Sequence, residues 1–450
     1  MRLKFNNVNI VESADIKLDG LTVIAGENGC GKSTVGKLLF SSVKAISNLG
    51  PVKQNYKQEL LNKYVDSLYK RLPVAVYRHK NPQFDKVFPF PPYKLVNTFM
   101  KIYDDELLED EVKKARYREI TSEMQMVVNS MEDLTPRIKR LIAGDLKDIL
   151  VCVEKTDDFA AVFETEMKYL IESEFMNKIC SFGTEASYVS LELDDKNAQV
   201  DFHLQNDDVV QGVAIKGDLS QSLRDATYIE SSLYIHLLDS LLASSTFREM
   251  PKQGRSLLLR GMIPVHIKDI AEKIYAAKYV HEDEVQELKI DDKGAFVFKG
   301  RSLYYEKEGV LYSPINVASG LKSFGLIQLL LETNAINENK ILIWDEPENH
   351  LHPKWQITLA SILVELAKDG IPILISTHSP YFVQGIRYSA ARHEMEKYVN
   401  YYLAEKEEGN SLAVIKDVTK DLNQIFMKLA APLNSIMNVS EVRRKKLEEQ

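Results

Sequence analysis

The stretch VIAGENGCGKST, Val23–Thr34, decides the fold of this 450-residue chain. From Gly26 to Ser33 it has the spacing G-x-x-x-x-G-K-S, between a short apolar run and a run that suits a helix. In a strand–loop–helix of this kind, glycines let backbone N–H groups point at phosphate oxygens, and the helix N-terminus adds partial positive charge. A glycine-rich turn without a ligand is the alternative, but the defining positions and both flanks are present. We therefore predict a phosphate-binding loop.

The polar side chains of this loop have separate predicted roles. The Lys32 ammonium should reach the β- and γ-phosphates of a nucleoside triphosphate, and the Ser33 hydroxyl should ligate Mg²⁺. The remaining predicted contacts to the nucleotide come from Gly26, Asn28, Gly29, Gly31 and Thr34. Cys30 is expected to be a small filler of the loop rather than a nucleophile.

A second informative stretch is KILIWDEPENHLHPKWQ, residues 340–356. Ile341–Trp344 is typical of a buried strand, and it is followed by Asp345 and Glu346. An aspartate at the carboxyl end of a parallel strand can hold Mg²⁺, largely through its water shell. The next residue, Glu346, would point at the γ-phosphate and act as the general base that polarises the attacking water.

Three histidines follow this strand. His350 and His352 lack a third and fourth ligand at suitable spacing, so a structured turn is favoured over a metal site. His378 comes directly after the next apolar run, Ile371–Ser376. Taken alone, it is equally well a core histidine; together with the two stretches above, it is predicted to contact the γ-phosphate.

Bulk composition narrows the classes of function. The formal net charge of −8 argues against general binding of nucleic acid, and the basic run Arg137–Arg140 is favoured as a solvated helix face. Cys30, Cys152 and Cys180 lie far apart and form no CxxC pair, which suits a reducing cytoplasm. No run of about 18 apolar residues occurs, so no membrane span or membrane partner is expected.

Four stretches together carry a resemblance to a known family: GENGCGKST, ASGLKS, ILIWDEPENHLHP and LISTHSP. The chain resembles ABC-type ATPases of the SMC/RecF/OLD-like branch rather than the transporter branch. The runs DEPENHLHP and THSP are particularly similar to those of ATPases of bacterial anti-phage defence systems. These include the OLD-family nucleases, PtuA of Septu and AriA of PARIS.

The resemblance implies an α/β fold: a two-lobed ABC-type P-loop ATPase with a mixed sheet, antiparallel β hairpins and a helical insertion. The expected divisions are a lobe with the phosphate loop (1–50 and 186–235), a helical insertion (51–185), a helical arm (236–290), a lobe with the signature, acid strand and histidine (291–410), and a helical tail (411–450). The proline-rich stretch 81–92 is predicted to be a loop or extended segment.

The resemblance also implies a site shared between two subunits. Two ATPs would lie between head-to-tail copies, with Mg²⁺ supported by Asp345, Glu346 as the base and His378 as the switch histidine. Ser319, Gly320 and Lys322 would belong to the signature that reaches a neighbour's ATP, and Ser319 is expected to cap its helix. Leu321 and Lys322 stand where the family more often has glycine and glutamine. Gln205 is a weak candidate for the glutamine loop, and a strand-end polar residue is the favoured interpretation.

Three functions are compared on this basis. The leading hypothesis is a cytoplasmic ATPase of a defence system, a homodimer or higher homo-oligomer that controls a separate effector, a nuclease. It rests partly on the 72 residues after His378, which contain no acidic D-x-D cluster. The alternative is a RecF/SMC-like DNA repair or chromosome-associated ATPase that binds DNA directly. A transporter nucleotide domain ranks last, because ENHLHP is unlike transporter sequences.

Overall fold

The chain, seen in a computed structural model, forms two compact units, one made of Met1–Ser47 with Phe163–Gln450 and one of Asn48–Val162. The structure describes residues 1–47, 56–72, 82–103, 105, 107–132, 134–154, 159–176, 178–181, 183–184, 186–193, 198–205, 209–217, 225–238, 241, 263–280, 294–300, 302–407 and 409–431. Within these ranges, no helix is long and apolar enough to span a bilayer.

The strands, numbered along the chain, are β1 Arg2–Val8, β2 Val11–Lys17, β3 Leu21–Gly26, β4 Ala186–Glu192, β5 Gln199–Gln205, β6 Val209–Lys216, β7 Asp225–Ile229, β8 Ala295–Lys299, β9 Ser302–Lys307, β10 Val310–Tyr312, β11 Lys340–Asp345, β12 Ile373–Thr377, β13 Val399–Lys406 and β14 Ala413–Asp417. The helices are α1 Lys32–Ser47, α2 Tyr56–Arg71, α3 Pro82–Val87, α4 Tyr93–Tyr103, α5 Asp110–Ser130, α6 Pro136–Glu154, α7 Phe159–Phe175, α8 Val265–Ala276, α9 Ser319–Glu332, α10 Pro353–Lys368 and α11 Pro380–Arg392.

One mixed sheet organises the larger unit. Its strand order is β6-β5-β4-β1-β2-β14-β13-β3-β12-β11-β7, and a second, antiparallel sheet has the order β10-β9-β8. The predicted hairpins are confirmed: β1 pairs antiparallel with β2, and β4 pairs antiparallel with β5. The α/β fold class with its mixed sheet is therefore confirmed.

The parallel half of the sheet positions the site. In β13, β3, β12, β11 and β7 the strands run in one direction, and β3 and β11 are buried along most of their length. Asp345 of β11 pairs with Ser376 of β12, and Ala25 of β3 pairs with Thr377. The carboxyl ends of these strands therefore meet at one edge, where open α/β sheets place their ligands.

The smaller unit is a helical bundle, α2 to α6, around its own apolar core. Phe84 and Phe88 stack with ring centroids 4.8 Å apart, and Phe99 and Tyr117 are buried beside them. The prediction of a loop over 81–92 was wrong in part, since Pro82 begins α3. Proline is tolerated in a first helical turn because that N–H has no partner in the helix anyway.

The structure divides the chain differently from the predicted domains. Helix α7, placed at the end of the insertion 51–185, lies mostly in the larger unit, where Phe163 packs on Phe202 of β5 at 5.2 Å between ring centroids. The predicted lobes 1–50 and 291–410 share one sheet, in which β3 lies between β12 and β13.

One further range also differs from the prediction. The tail 411–450 begins with a strand, β14, between β13 and β2, and in the part of the tail that the structure describes the helix covers 423–431. The rest of that tail, and most of the arm 236–290 outside α8, lie beyond the described residues.

Candidate functional site

The phosphate loop leaves β3 and enters α1 through glycines that no other residue could replace without strain. Gly29 and Gly31 have φ of +74° and +82°. A Cβ on Gly31 would lie 2.2 Å from Cγ2 of Val11, and one on Gly26 would lie 2.4 Å from the carbonyl oxygen of Ala404. Both the left-handed backbone and the close packing therefore require glycine here.

Lys32 is held inside this loop. Its side chain is buried, and Nζ donates hydrogen bonds to the carbonyl oxygens of Gly26 and Glu27, each at 3.0 Å. The same Nζ lies 3.9 Å from Oε1 of Glu346. A buried ammonium group has lost most of its contact with water, so an anionic ligand beside it would stabilise its charge. Thr34 is also buried, whereas Asn28 and Ser33 are exposed.

Asp345 ends β11 and is surrounded by hydroxyl groups from other elements. The phenol of Tyr228 donates to Oδ2 at 3.3 Å, and Oγ of Ser376 donates to Oδ1. Burial raises the pKa of this carboxyl and Glu346 adds to the rise, whereas the Ser33 hydroxyl and the Lys32 charge oppose it. The carboxylate is thus fixed in place but short of compensating charge.

The site fits a magnesium–nucleotide complex. Mg²⁺ prefers oxygen ligands, and Ser33 and Asp345 present a hydroxyl and a carboxylate to the same small pocket. A cation beside Asp345 would relieve the cost of burying its charge. The glycine loop and the buried Lys32 ammonium provide the complementary surface for phosphates.

Glu346 lies between the phosphate loop and the histidine after β12. Its Oε1 is 3.2 Å from Nδ1 of His378, and Asn349 Nδ2 donates to Oε2 at 2.9 Å. The residue has φ of +48°, an uncommon backbone conformation for a residue with a side chain, and its N–H donates to the carbonyl oxygen of Ser376 at 2.9 Å. Strained backbone of this kind concentrates at functional sites.

The signature stretch differs in detail from the prediction. Ser319 is the first residue of α9, and Ala318 occupies the N-cap without a side-chain hydrogen bond. The expectation that Ser319 caps the helix was therefore wrong. Lys322 is buried, and its Nζ lies 3.2 Å from Nδ1 of His236, so this ammonium faces the interior of its own chain. Gly320 packs under Leu351, whose Cδ2 would lie 3.0 Å from an added Cβ.

The remaining candidates, His352 and Gln205, contribute to local structure rather than to this site. His352 is the N-cap of α10 and accepts from the Lys354 N–H, as the turn interpretation predicts. No group of three His, Cys, Asp or Glu side chains that could hold a metal occurs among the described residues. Gln205 ends β5 in the antiparallel half of the sheet, where its side chain bonds Gln211. The glutamine therefore lies outside this site.

Sequence reasoning missed an acid beside the site. Glu230 directly follows β7, the edge strand next to β11. Its Oε2 accepts from the Tyr234 hydroxyl at 3.0 Å and lies 3.2 Å from Nε2 of His266, whose Nδ1 is 2.6 Å from Oε2 of Glu174. The bond to His266 lowers the pKa of Glu230 to about 2, although burial opposes the shift. The sequence shows Glu230 directly after the strand-like run DATYI, but it does not show that this strand lies beside β11.

One family model matches part of the chain. Residues 210–384 match the family described as "AAA domain, putative AbiEii toxin, Type IV TA system". The match includes β7, the signature and His378, and it ends before β13. No curated protein is significantly similar to the chain. The match covers less than half of the chain, and the phosphate loop precedes it.

Solved structures with a similar arrangement are distant. The SMC head bound to the C-winged helix domain of ScpA has 10% identity, a TM-score of 0.41 and coverage of 92% of this chain and 97% of that one. The SMC head domain from Thermotoga maritima has 11% identity, a TM-score of 0.35 and coverage of 93% and 98%. The recombination mediator RecF has 9% identity, a TM-score of 0.34 and coverage of 92% and 97%. At these scores nothing about function follows from the likeness.

Proposed function

We propose that the chain hydrolyses ATP with Mg²⁺ between two copies of itself, and that this cycle controls a separate effector in a bacterial anti-phage defence system. The observation that best supports ATP hydrolysis is the position of Glu346. Its Oε1 lies 3.2 Å from His378 Nδ1 and 3.9 Å from Lys32 Nζ, at the edge where the phosphate loop opens.

The residues of the site divide the chemistry between them. Glu346 is partly exposed, so a water can reach it, and its carboxylate can accept a proton from that water. Lys32 stabilises negative charge on the transferred phosphate, and His378 lies where it can contact the same group. Mg²⁺, held by Ser33 and Asp345, would neutralise phosphate charge when bound. The role of each side chain is part of the proposal.

The proposed pairing of subunits rests on the start of α9. Ala318 provides no side-chain cap, so N–H groups of the first turn, at Ser319 and Gly320, lack a side-chain acceptor. Free amides at a helix N-terminus favour anions, and a neighbour's ATP would supply one. The pair would be a homodimer or the unit of a higher homo-oligomer.

The proposed effector, a nuclease in a separate chain, rests on two likenesses. The stretches DEPENHLHP and THSP resemble those of defence ATPases, and the family that matches residues 210–384 is described by a toxin of a toxin–antitoxin system. Both likenesses are therefore consistent with an ATPase domain that works together with a toxic effector. A cytoplasmic location is proposed with this role.

Phosphate release tests the enzymatic part. The wild-type protein should release phosphate from ATP with Mg²⁺ and lose this activity with EDTA, while Glu346→Gln should still bind ATP. Size-exclusion chromatography with light scattering should show a dimer of this variant in ATP and a smaller species without nucleotide. Normal turnover by Glu346→Gln would contradict the assignment of the base.

Co-purification tests the defence part. The protein would be mixed with the product of the adjacent gene without nucleotide, with ADP, and with ATP in the Glu346→Gln background. Binding that depends on the nucleotide state supports effector control, whereas no complex in any state contradicts it. Turnover stimulated several-fold by DNA and lost at higher salt would instead support direct DNA binding.

A further inference from the structure

Glu348 is a buried acid next to the site that the proposed chemistry does not use. It lies in the turn after β11 and is 3% exposed. Its Oε1 accepts from Oγ1 of Thr377 at 2.5 Å and from the N–H of His378 at 3.1 Å. Its Oε2 has no hydrogen-bond partner within the described part of the chain. Burying a carboxyl oxygen without a hydrogen-bond partner destabilises the folded protein, so a functional or structural reason for Glu348 is expected.

The contacts of Glu348 extend into the loop that carries His378. Thr377 Oγ1 accepts from the N–H of Ser379 at 3.0 Å. Ser379 in turn caps α11 by accepting from the Phe382 N–H, and its hydroxyl donates to Oε1 of Gln356 on α10 at 2.8 Å. One carboxyl oxygen thus holds both the Thr377 hydroxyl and the His378 N–H, and the network that continues through Thr377 and Ser379 ties this loop to two helices.

The same oxygen also lies close to the imidazole. Nδ1 of His378 is 3.2 Å from Glu346 Oε1 and 3.7 Å from Glu348 Oε1. Because Glu348 Oε1 already accepts two hydrogen bonds, Glu346 is the better acceptor for this nitrogen. Burial raises the pKa of Glu348, which favours its neutral form and weakens its competition with Glu346.

We propose that Glu348 is a positioning residue for ATP hydrolysis. It holds the backbone of His378 so that the imidazole stays on Glu346, and it does not itself touch the nucleotide. The proposal rests on the function proposed above. It assigns the second glutamate of DEPEN a role that depends on its acceptor oxygen rather than on its charge.

Steady-state kinetics of matched variants test this role. Glu348→Gln keeps an acceptor at Oε1, whereas Glu348→Met fills a similar volume without one. Displacing a catalytic group by about 1 Å can cost about 100-fold in rate, so Glu348→Met should lower kcat by roughly 10- to 100-fold. The KM for ATP should stay within about threefold, and Glu348→Gln should stay within about threefold of wild type in both constants.

A double-mutant cycle separates positioning from general stability. If Glu348 acts through His378, Glu348→Met should cause no further loss of kcat in a His378→Ala background, because the group it positions is gone. Equal losses in both backgrounds would overturn the proposal, as would a normal kcat for Glu348→Met. Circular dichroism would show that each variant is folded; if Glu348→Met is not, Thr377→Val removes one of the two bonds and takes its place in the cycle.

A spectroscopic readout makes the test independent of turnover. In protein with ¹³C-labelled histidine, the His378 imidazole signal is assigned by its absence in His378→Ala. That signal should move in Glu348→Met and stay in place in Glu348→Gln. If the wild type does not hydrolyse ATP, the proposed function fails, yet an unmoved His378 signal in Glu348→Met would still overturn the role of Glu348 by itself.

Discussion

The phenol of Tyr228 donates a hydrogen bond of 3.3 Å to Asp345 Oδ2, joining the ends of the neighbouring strands β7 and β11. Burial and the nearby Asp345 charge raise the pKa of Tyr228 well above its usual range, so the group remains a neutral donor. The carboxylate proposed to support Mg²⁺ is therefore oriented by a side chain that no sequence motif contains.

Tyr228→Phe should weaken the site and the fold together. Removing this donor leaves Asp345 with less compensation for its burial, so we expect a loss of about 1–2 kcal/mol in the free energy of unfolding. The Mg²⁺ concentration that gives half-maximal turnover should rise. Chemical denaturation and a Mg²⁺ titration measure the two effects. Tyr312→Phe, an exposed residue of β10, is the control and should change neither value.

Glu346→Gln should reduce turnover without preventing nucleotide binding. The amide cannot accept a proton from water, so we expect at least a roughly 100-fold fall in kcat. Binding of a fluorescent ATP analogue should be within a few-fold of wild type, since the phosphate loop is intact. Glu338→Gln changes an exposed acid at the opposite end of β11 and should leave kcat unchanged. A similar fall in both variants would contradict the assignment.

Substitutions of Gly29 and Gly31 can distinguish the energetic cost of overpacking from the cost of backbone strain. Gly29 and Gly31 share a left-handed φ, but only at Gly31 would a Cβ meet another side chain, at 2.2 Å from Val11 Cγ2. Alanine at Gly29 should cost about 1 kcal/mol from the backbone alone. Alanine at Gly31 should cost about 1–3 kcal/mol more because of overpacking. Unfolding measured without nucleotide decides this, and equal costs would contradict the described packing.

The buried His266 should give the larger unit a pH-dependent stability. Its bonds to Glu174 and Glu230 raise its pKa above 6.5 against the effect of burial. This stabilisation is complete below pH 6.5 and is lost as the pH rises through the folded-state pKa. The contribution of Glu230, with its pKa lowered from 4.5 to about 2, is complete above pH 4.5 and is lost as the pH falls towards 2.

The difference in unfolding free energy between wild type and His266→Gln should therefore be largest between about pH 4.5 and 6.5. We expect about 2 kcal/mol there, because the substitution leaves the buried carboxyl group of Glu174 without a charged partner, and the more exposed Glu230 adds less. Denaturant titrations at a series of pH values measure it. His203→Gln, at an exposed site on β5, serves as the comparison, and a pH-independent difference for His266→Gln would refute the prediction.

The sequence predicted the parts of the site that local spacing determines. The loop Gly26–Ser33 and the strand before Asp345 follow from glycine spacing and from short apolar runs, which act over a few residues. Glu230 and Glu348 could not be predicted, because their importance depends on which strand lies beside β11 and on how deeply a turn is buried. The N-cap of α9 was predicted one residue too late, because the last non-helical residue is Ala318, and its backbone dihedral angles cannot be inferred from residue type.

The position of β3 has a consequence for biosynthesis. This strand carries the phosphate loop and is flanked by β12 and β13, whose residues Ile373–Thr377 and Val399–Lys406 are translated long after it. Until the ribosome has made them, both edges of β3 lack the partners that they have in the folded protein. Contacts so distant in sequence form slowly and leave strand edges exposed meanwhile. A nascent chain that stalls before Ile373 would therefore have its nucleotide-binding loop translated but neither of the strands that flank β3.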